Sequence, residues 1–130
     1  MVQELRRSSV QRHSKLIFIV EDDIIMEEFL VLAISDETPY QVIAVPNGFQ
    51  ALEAVKDIKP QLFILDYLLP EMNGLELSDR LHSIEDLAET PTIMYSTNLP
   101  TKELQKRKII GIPKPFELDE LLSIIERLLA

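Results

Sequence analysis

Five short apolar runs, each continuous instead of alternating, constrain this chain more than any other feature: Leu16 to Val20, Val42 to Val45, Leu62 to Leu65, Thr92 to Tyr95 and Ile109 to Ile112. Alternation would mark a sheet with one wet face. An unbroken run rich in β-branched and aromatic residues fits a strand covered by helices on both sides. The segments between the runs have helical spacing. Ile25, Phe29 and Leu32 recur within Asp23 to Ser35, and Ala51, Leu52 and Val55 within Gly48 to Ile58, so both sets are expected to pack on the sheet. Leu75, Ser78, Leu81 and Ile84 predict a third helix, and Leu118, Leu121, Leu122, Ile125, Leu128 and Leu129 a terminal one. Thr101 to Lys108 is short and charged, with Leu104 as its core candidate. Turn signals at Pro46-Asn47-Gly48, Lys59-Pro60, Pro70 to Gly74 and Leu99-Pro100 punctuate the joins. Strand alternating with helix, without internal repeat, predicts an α/β sandwich on one parallel sheet.

A chain of 130 residues suits one compact domain, expected over 16–130. Residues 1–15 read as a basic, flexible arm: Arg6, Arg7, Arg12 and Lys15 stand against Glu4, so the rest is more acidic than the net charge of -9 conveys. An acidic body repels phosphate backbones, and no nucleic-acid ligand is expected. The arm lacks the apolar stretch of a signal peptide, and no run is long enough to cross a bilayer, so no membrane partner is expected. Cysteine is absent, which removes disulfides and thiolate chemistry and fits a reducing, cytoplasmic setting.

In a parallel sheet every strand ends at the same edge, and ligands bind outside those carboxyl ends where the strand order reverses. The residues following the runs are therefore read together: Glu21, Asp22 and Asp23 after the first, Asp66 after the third, Ser96 and Thr97 after the fourth, Lys114 after the fifth. Facing carboxylates repel unless a cation lies between them, and an oxygen-only set favours a hard ion such as magnesium. With His13 and His82 away from the strand ends, zinc is disfavoured. Asp66 ends a buried run before a Pro and Gly turn, the placement of a nucleophile that attacks phosphorus. Lys114 and Ser96 would then bind two phosphoryl oxygens and magnesium the third. Taken singly, each residue has an ordinary explanation: helix caps for the acids and the hydroxyls, a loop opening for Asp66, a surface position for Lys114. Their joint occurrence at one edge favours the site.

The chain from Leu16 to Ala130 resembles the response-regulator receiver family of two-component signalling. The resemblance is carried by Val20-Glu21-Asp22-Asp23, by Leu65 to Gly74 (Leu-Asp-Tyr-Leu-Leu-Pro-Glu-Met-Asn-Gly), by Pro91 to Ser96 (Pro-Thr-Ile-Met-Tyr-Ser), and by Lys114-Pro115-Phe116. It implies a flavodoxin-like three-layer sandwich with strand order 2-1-3-4-5 and five helices. It also implies Asp66 as phosphoacceptor, Glu21 and Asp22 as the acidic magnesium pair, the Leu68 backbone carbonyl as a further metal ligand, and Asp23 as the start of the first helix. Ser96 matches the switch hydroxyl, and Lys114 the phosphate-binding lysine, preceding a cis peptide bond. Two departures stand out. The aromatic switch residue three positions before the lysine is replaced by Gly111, and the stretch from Ser96 to Lys114 is shorter than the family norm by about four residues, roughly one helical turn. A short or missing fourth helix is therefore expected, with Asn98 to Gly111 behaving as a loop.

Three functions compete. The first is a single-domain switch phosphorylated by a histidine kinase or a histidine phosphotransfer protein. It would be a monomer or weak dimer, catalysing no more than its own phosphorylation and dephosphorylation, and its output would be read by a downstream protein from the domain itself, since no effector domain follows residue 130. The second is an adaptor of the same fold that works without phosphate. The third, a phosphatase of the haloacid dehalogenase type, requires a second Asp two residues after the first, where this chain has Leu68.

Overall fold

The computed structural model describes residues 15–130, so the expected basic arm lies, up to Ser14, outside the described residues. The strands are β1 (Leu16–Val20), β2 (Gln41–Val45), β3 (Leu62–Asp66), β4 (Thr92–Ser96) and β5 (Ile110–Pro113). The helices are α1 (Ile24–Glu37), α2 (Gly48–Ala54), α3 (Gly74–His82), α4 (Thr101–Lys106) and α5 (Leu118–Leu129), with a 3-10 turn at Glu85–Leu87. The five strands form one sheet in the order β2-β1-β3-β4-β5, and every pair is parallel.

The apolar runs form strands because each can lose both faces to helices. Every residue of β1, β3 and β4 is buried, whereas the edge strands β2 and β5 are partly exposed. Successive side chains alternate between two cores. Ile17, Ile19, Ile64 and Tyr95 pack against Leu30 and Ile34 of α1 and Leu121, Ile125 and Leu129 of α5. On the other face, Phe18, Phe63, Leu65 and Met94 pack against Ala51, Leu77, Leu81 and Leu104 of α2 to α4. A fully buried Leu or Ile contributes about 1.5–3 kcal/mol by leaving water, so both layers hold the sheet. The register pairs Val20 with both Val45 and Leu65, Asp66 with Tyr95, and Ser96 with Pro113, which aligns the carboxyl ends.

Helix α1 corrects one expectation. Ile25, Phe29 and Leu32 do not face the core; they are 80%, 45% and 65% exposed, and Leu30 and Ile34 are buried in their place, with Met26 packed beside them. The helix is apolar on nearly every side, so two stripes at helical spacing compete, and the sequence spacing does not choose between them. On α3 the buried set is Gly74, Leu77, Ser78 and Leu81; Ile84 lies beyond the helix end and is 37% exposed. The fourth helix is present and short, as one of the two expected outcomes had it, so the 98–111 stretch is not loop throughout: its middle forms α4. Leu104 anchors that helix in the core, and Arg107 just after it bonds Asp79 of α3 through two nitrogens at 2.6 and 3.0 Å and Glu103 at 2.7 Å. The helix closes with the amides of Lys108 and Ile109 bonding the carbonyls of Gln105 and Leu104 at 3.2 and 3.0 Å. That is the Schellman arrangement, with Lys108 at φ 59° where glycine is usual.

Candidate functional site

The acidic residues of the site are delivered by two adjacent strand ends. Glu21 follows β1 immediately and is 2% exposed, while Asp66 is the last residue of β3 and 5% exposed. Asp22 is exposed at the rim, and oxygens of Glu21, Asp22 and Asp66 lie within 4.8 Å of one another. Local backbone holds them there. Asp23 caps α1, accepting from the amides of Ile25 and Met26 at 2.9 and 3.3 Å, and its own amide donates to Glu21 Oε2 at 3.0 Å. Asp66 Oδ1 accepts from the Leu68 amide at 3.0 Å. The turn beyond Asp66 is closed by the Gly74 amide, which donates to the Tyr67 carbonyl at 2.8 Å. Gly74 is required here, because a Cβ would lie 2.5 Å from the Asp66 carbonyl oxygen and 2.9 Å from the Tyr67 Cα.

The other side of the site comes from β4 and β5. Ser96 ends β4, is 1% exposed, and its Oγ accepts from the Asn98 amide at 3.2 Å, which leaves the hydroxyl proton available to donate. Lys114 directly follows β5, and its amide donates to the Ser96 carbonyl at 2.9 Å, continuing the strand pairing beyond the sheet. The Lys114–Pro115 bond is cis, as the resemblance implies. The Lys114 ammonium stands 4.9 Å from the centroid of the Tyr95 ring and, among the described residues, is ion-paired with no carboxylate.

Tyr95 is the functional-site residue that sequence reasoning missed. Its place in the fourth apolar run makes it a strand residue and nothing more, yet its buried hydroxyl donates to Glu21 Oε1 at 2.5 Å across the width of β3. A signal existed: a tyrosine inside an aliphatic run, one residue from the carboxyl edge, needs a polar partner when buried. Burial, reinforced by the Asp66 carboxylate, pushes Glu21 up to about 7 against the pull of the Tyr95 hydroxyl and the Asp23 amide. Burial first, and the Glu21 carboxylate second, raise the Tyr95 phenol far above its ordinary value, so it stays a hydrogen-bond donor.

Electrostatics and donor chemistry both fit a hard divalent cation. Two of the three carboxylates are buried together, an arrangement that like charge disfavours, and all the donor atoms are oxygens. Gly111, at the position of the absent ring, faces α4: a Cβ there would lie 2.9 Å from Leu104 Cδ1 and 3.1 Å from Leu99 Cδ1. Two leucines thus fill the space beside it. Among the described residues no helix is long and apolar enough to cross a membrane.

A doubly wound parallel sheet with an acidic pocket at its switch point and a Ser and a Lys at the ends of the next two strands defines the signalling class of flavodoxin-like folds. The chain belongs to the response regulator receiver domain family, whose model matches residues 17–126. It is 34% identical over 117 residues to the transcriptional regulatory protein CrdR of Helicobacter pylori, covering 87% of this chain and 54% of that protein. Over 121 residues it is 34% identical to the response regulator receiver protein CpdR of Brucella abortus, covering 88% of this chain and 97% of the relative. The chain spans about half the length of several other curated relatives it matches. Its fold is shared with the receiver domain of sensor histidine kinase PA1611 from Pseudomonas aeruginosa, solved with magnesium coordinated in the active site cleft, at a TM-score of 0.79 and 21% identity, covering 88% of this chain and 97% of that one.

Proposed function

We propose that this chain is a magnesium-dependent phosphoacceptor that takes a phosphoryl group onto Asp66 from a phosphohistidine donor and passes the signal to a partner protein. The single observation that carries the reading is the convergence of Glu21, Asp22 and Asp66 within 4.8 Å, two of them buried, at the sheet's switch point. A carboxylate oxygen of Asp66 attacks phosphorus, the phosphorus–nitrogen bond to the donor histidine breaks, and the imidazole leaves with its electron pair and takes up a proton. Asp66 enters this step oriented by the Leu68 amide, which holds one oxygen. Ser96 donates to one phosphoryl oxygen, and Lys114 leaves the Tyr95 ring to neutralise another. Glu21, Asp22, Asp66 and the Leu68 carbonyl are the residues that would hold magnesium, which supplies charge neutralisation at the third oxygen when bound.

The donor, a histidine kinase or a histidine phosphotransfer protein, has somewhere to dock. Ile24, Ile25 and Phe29 of α1 are exposed beside Asp22 and Asp23, and a groove of about 430 Å³ lined by Met26, Phe29, Thr97, Lys114, Pro115 and Phe116 adjoins the Lys114 side of the site. An exposed apolar patch rimmed by charge is what a transient partner requires. Output by the receiver domain itself is supported by CpdR, matched over 97% of its length. The protein is read as cytoplasmic.

Incubation with magnesium and acetyl phosphate, followed by intact mass measurement, tests the reading. The expected result is one added phosphoryl group that disappears in Asp66→Asn. No adduct with acetyl phosphate or with cognate kinases would return the chain to the adaptor reading.

A further inference from the structure

From the Tyr95 contacts we infer that this residue is a positioning residue for the acidic site: its hydroxyl fixes the Glu21 carboxylate in the orientation that magnesium requires, while its ring holds Lys114 at rest. The inference rests on the magnesium reading above and adds to it a residue from the neighbouring half of the sheet.

Glu21 is buried, and each of its oxygens has one partner. Oε1 accepts from the Tyr95 hydroxyl at 2.5 Å, and Oε2 accepts from the Asp23 amide at 3.0 Å. A carboxylate has about four lone-pair sites, so two donors fix the plane of the group and still leave sites for a cation. The Asp23 amide is backbone and invariant under substitution, which makes the Tyr95 hydroxyl the adjustable half of this clamp. A glutamate also has one more rotatable bond than an aspartate, and a small octahedral cation tolerates little error in ligand placement. Fixing that extra bond therefore converts into affinity.

The tyrosine is itself held. Its ring is 1% exposed, packs edge-on to Phe116 with centroids 5.8 Å apart, and lies in the core between α1 and α5. Register places Tyr95 beside Asp66 on one side and Ile112 on the other, so the hydroxyl reaches Glu21 by passing under the strand that bears Asp66. With Lys114 at 4.9 Å over the same ring, one side chain touches the metal-binding acid and the phosphate-binding cation at once.

Magnesium titration calorimetry on four proteins decides the matter: wild type, Tyr95→Phe, Glu21→Asp and the double variant. Tyr95→Phe keeps the ring, its packing and the Lys114 contact, and deletes the hydroxyl alone. Glu21→Asp keeps the charge and withdraws the carboxylate from the hydroxyl. The expected result is a Kd weakened about tenfold by Tyr95→Phe, the scale seen when a group that orients a metal ligand is removed, with no further weakening when it is added to Glu21→Asp. A wild-type Kd in Tyr95→Phe overturns the inference while leaving the magnesium reading intact. So does an equal tenfold loss in the Glu21→Asp background, because the hydroxyl would then act elsewhere. No binding of magnesium by the wild type overturns the metal reading and this inference with it.

Discussion

At the β1–β3 half of the carboxyl edge, three carboxylates converge on backbone held by the Asp23 cap and by a glycine that has no room for a Cβ. At the β4–β5 half, Ser96 and Lys114 are in place, but what closes around Gly111 is the side-chain ends of Leu99 and Leu104 and no backbone. The first half is over-determined and the second adjustable. A site that must place a nucleophile needs rigidity, whereas an element that reports occupancy needs two arrangements of similar energy. The difference fits the proposed division between a binding half and a signalling half.

Breaking the rigid half should cost most. Gly74→Ala drives a methyl group against the Asp66 carbonyl and is expected to lower stability by about 3 kcal/mol, the upper end for overpacking. Urea unfolding measures it, and a loss below about 0.5 kcal/mol would show that the turn after Asp66 relaxes freely. Gly111→Tyr sharpens the contrast. The ring must displace the side-chain ends of Leu99 and Leu104 instead of backbone, so the expected cost is smaller, about 1–2 kcal/mol. Equal losses in the two variants would erase the distinction between the halves. The smallest effect is a gain: Lys108 occupies a left-handed position that closes α4, and Lys108→Gly should raise stability by up to about 1 kcal/mol. A loss there would mean that the lysine side chain itself holds the turn.

The strand-end residues of both halves are legible. Glu21, Asp22, Asp66, Ser96 and Lys114 can be grouped from the amino-acid order alone, because continuous apolar runs reveal where parallel strands end and these residues stand at or just beyond those ends. The sheet order and the cis bond come with the family resemblance. What stays hidden has identifiable causes. The buried face of α1 is not legible because the helix is apolar nearly all round, and its rotation is set by packing with β1 and α5, not by periodicity. The exposed stripe left over is the surface proposed above to dock the donor. Helix α4 is easily underestimated because its stop is a lysine in a glycine's conformation and its clamp joins Arg107 to Asp79, far apart in sequence. The role of Tyr95 depends on a contact between residues separated by 74 positions, which spacing along the chain does not disclose.

On the proposed reading the β1–β3 half binds and the 98–111 segment of the other half reports. Hydrogen exchange in magnesium, with and without beryllofluoride as a phosphoryl mimic, tests it directly. Protection is expected at the loops after β1 and β3 and across 98–111, with α2 and β2 unchanged. Protection at the site loops alone, with exchange across 98–111 unaltered despite bound mimic, would contradict it.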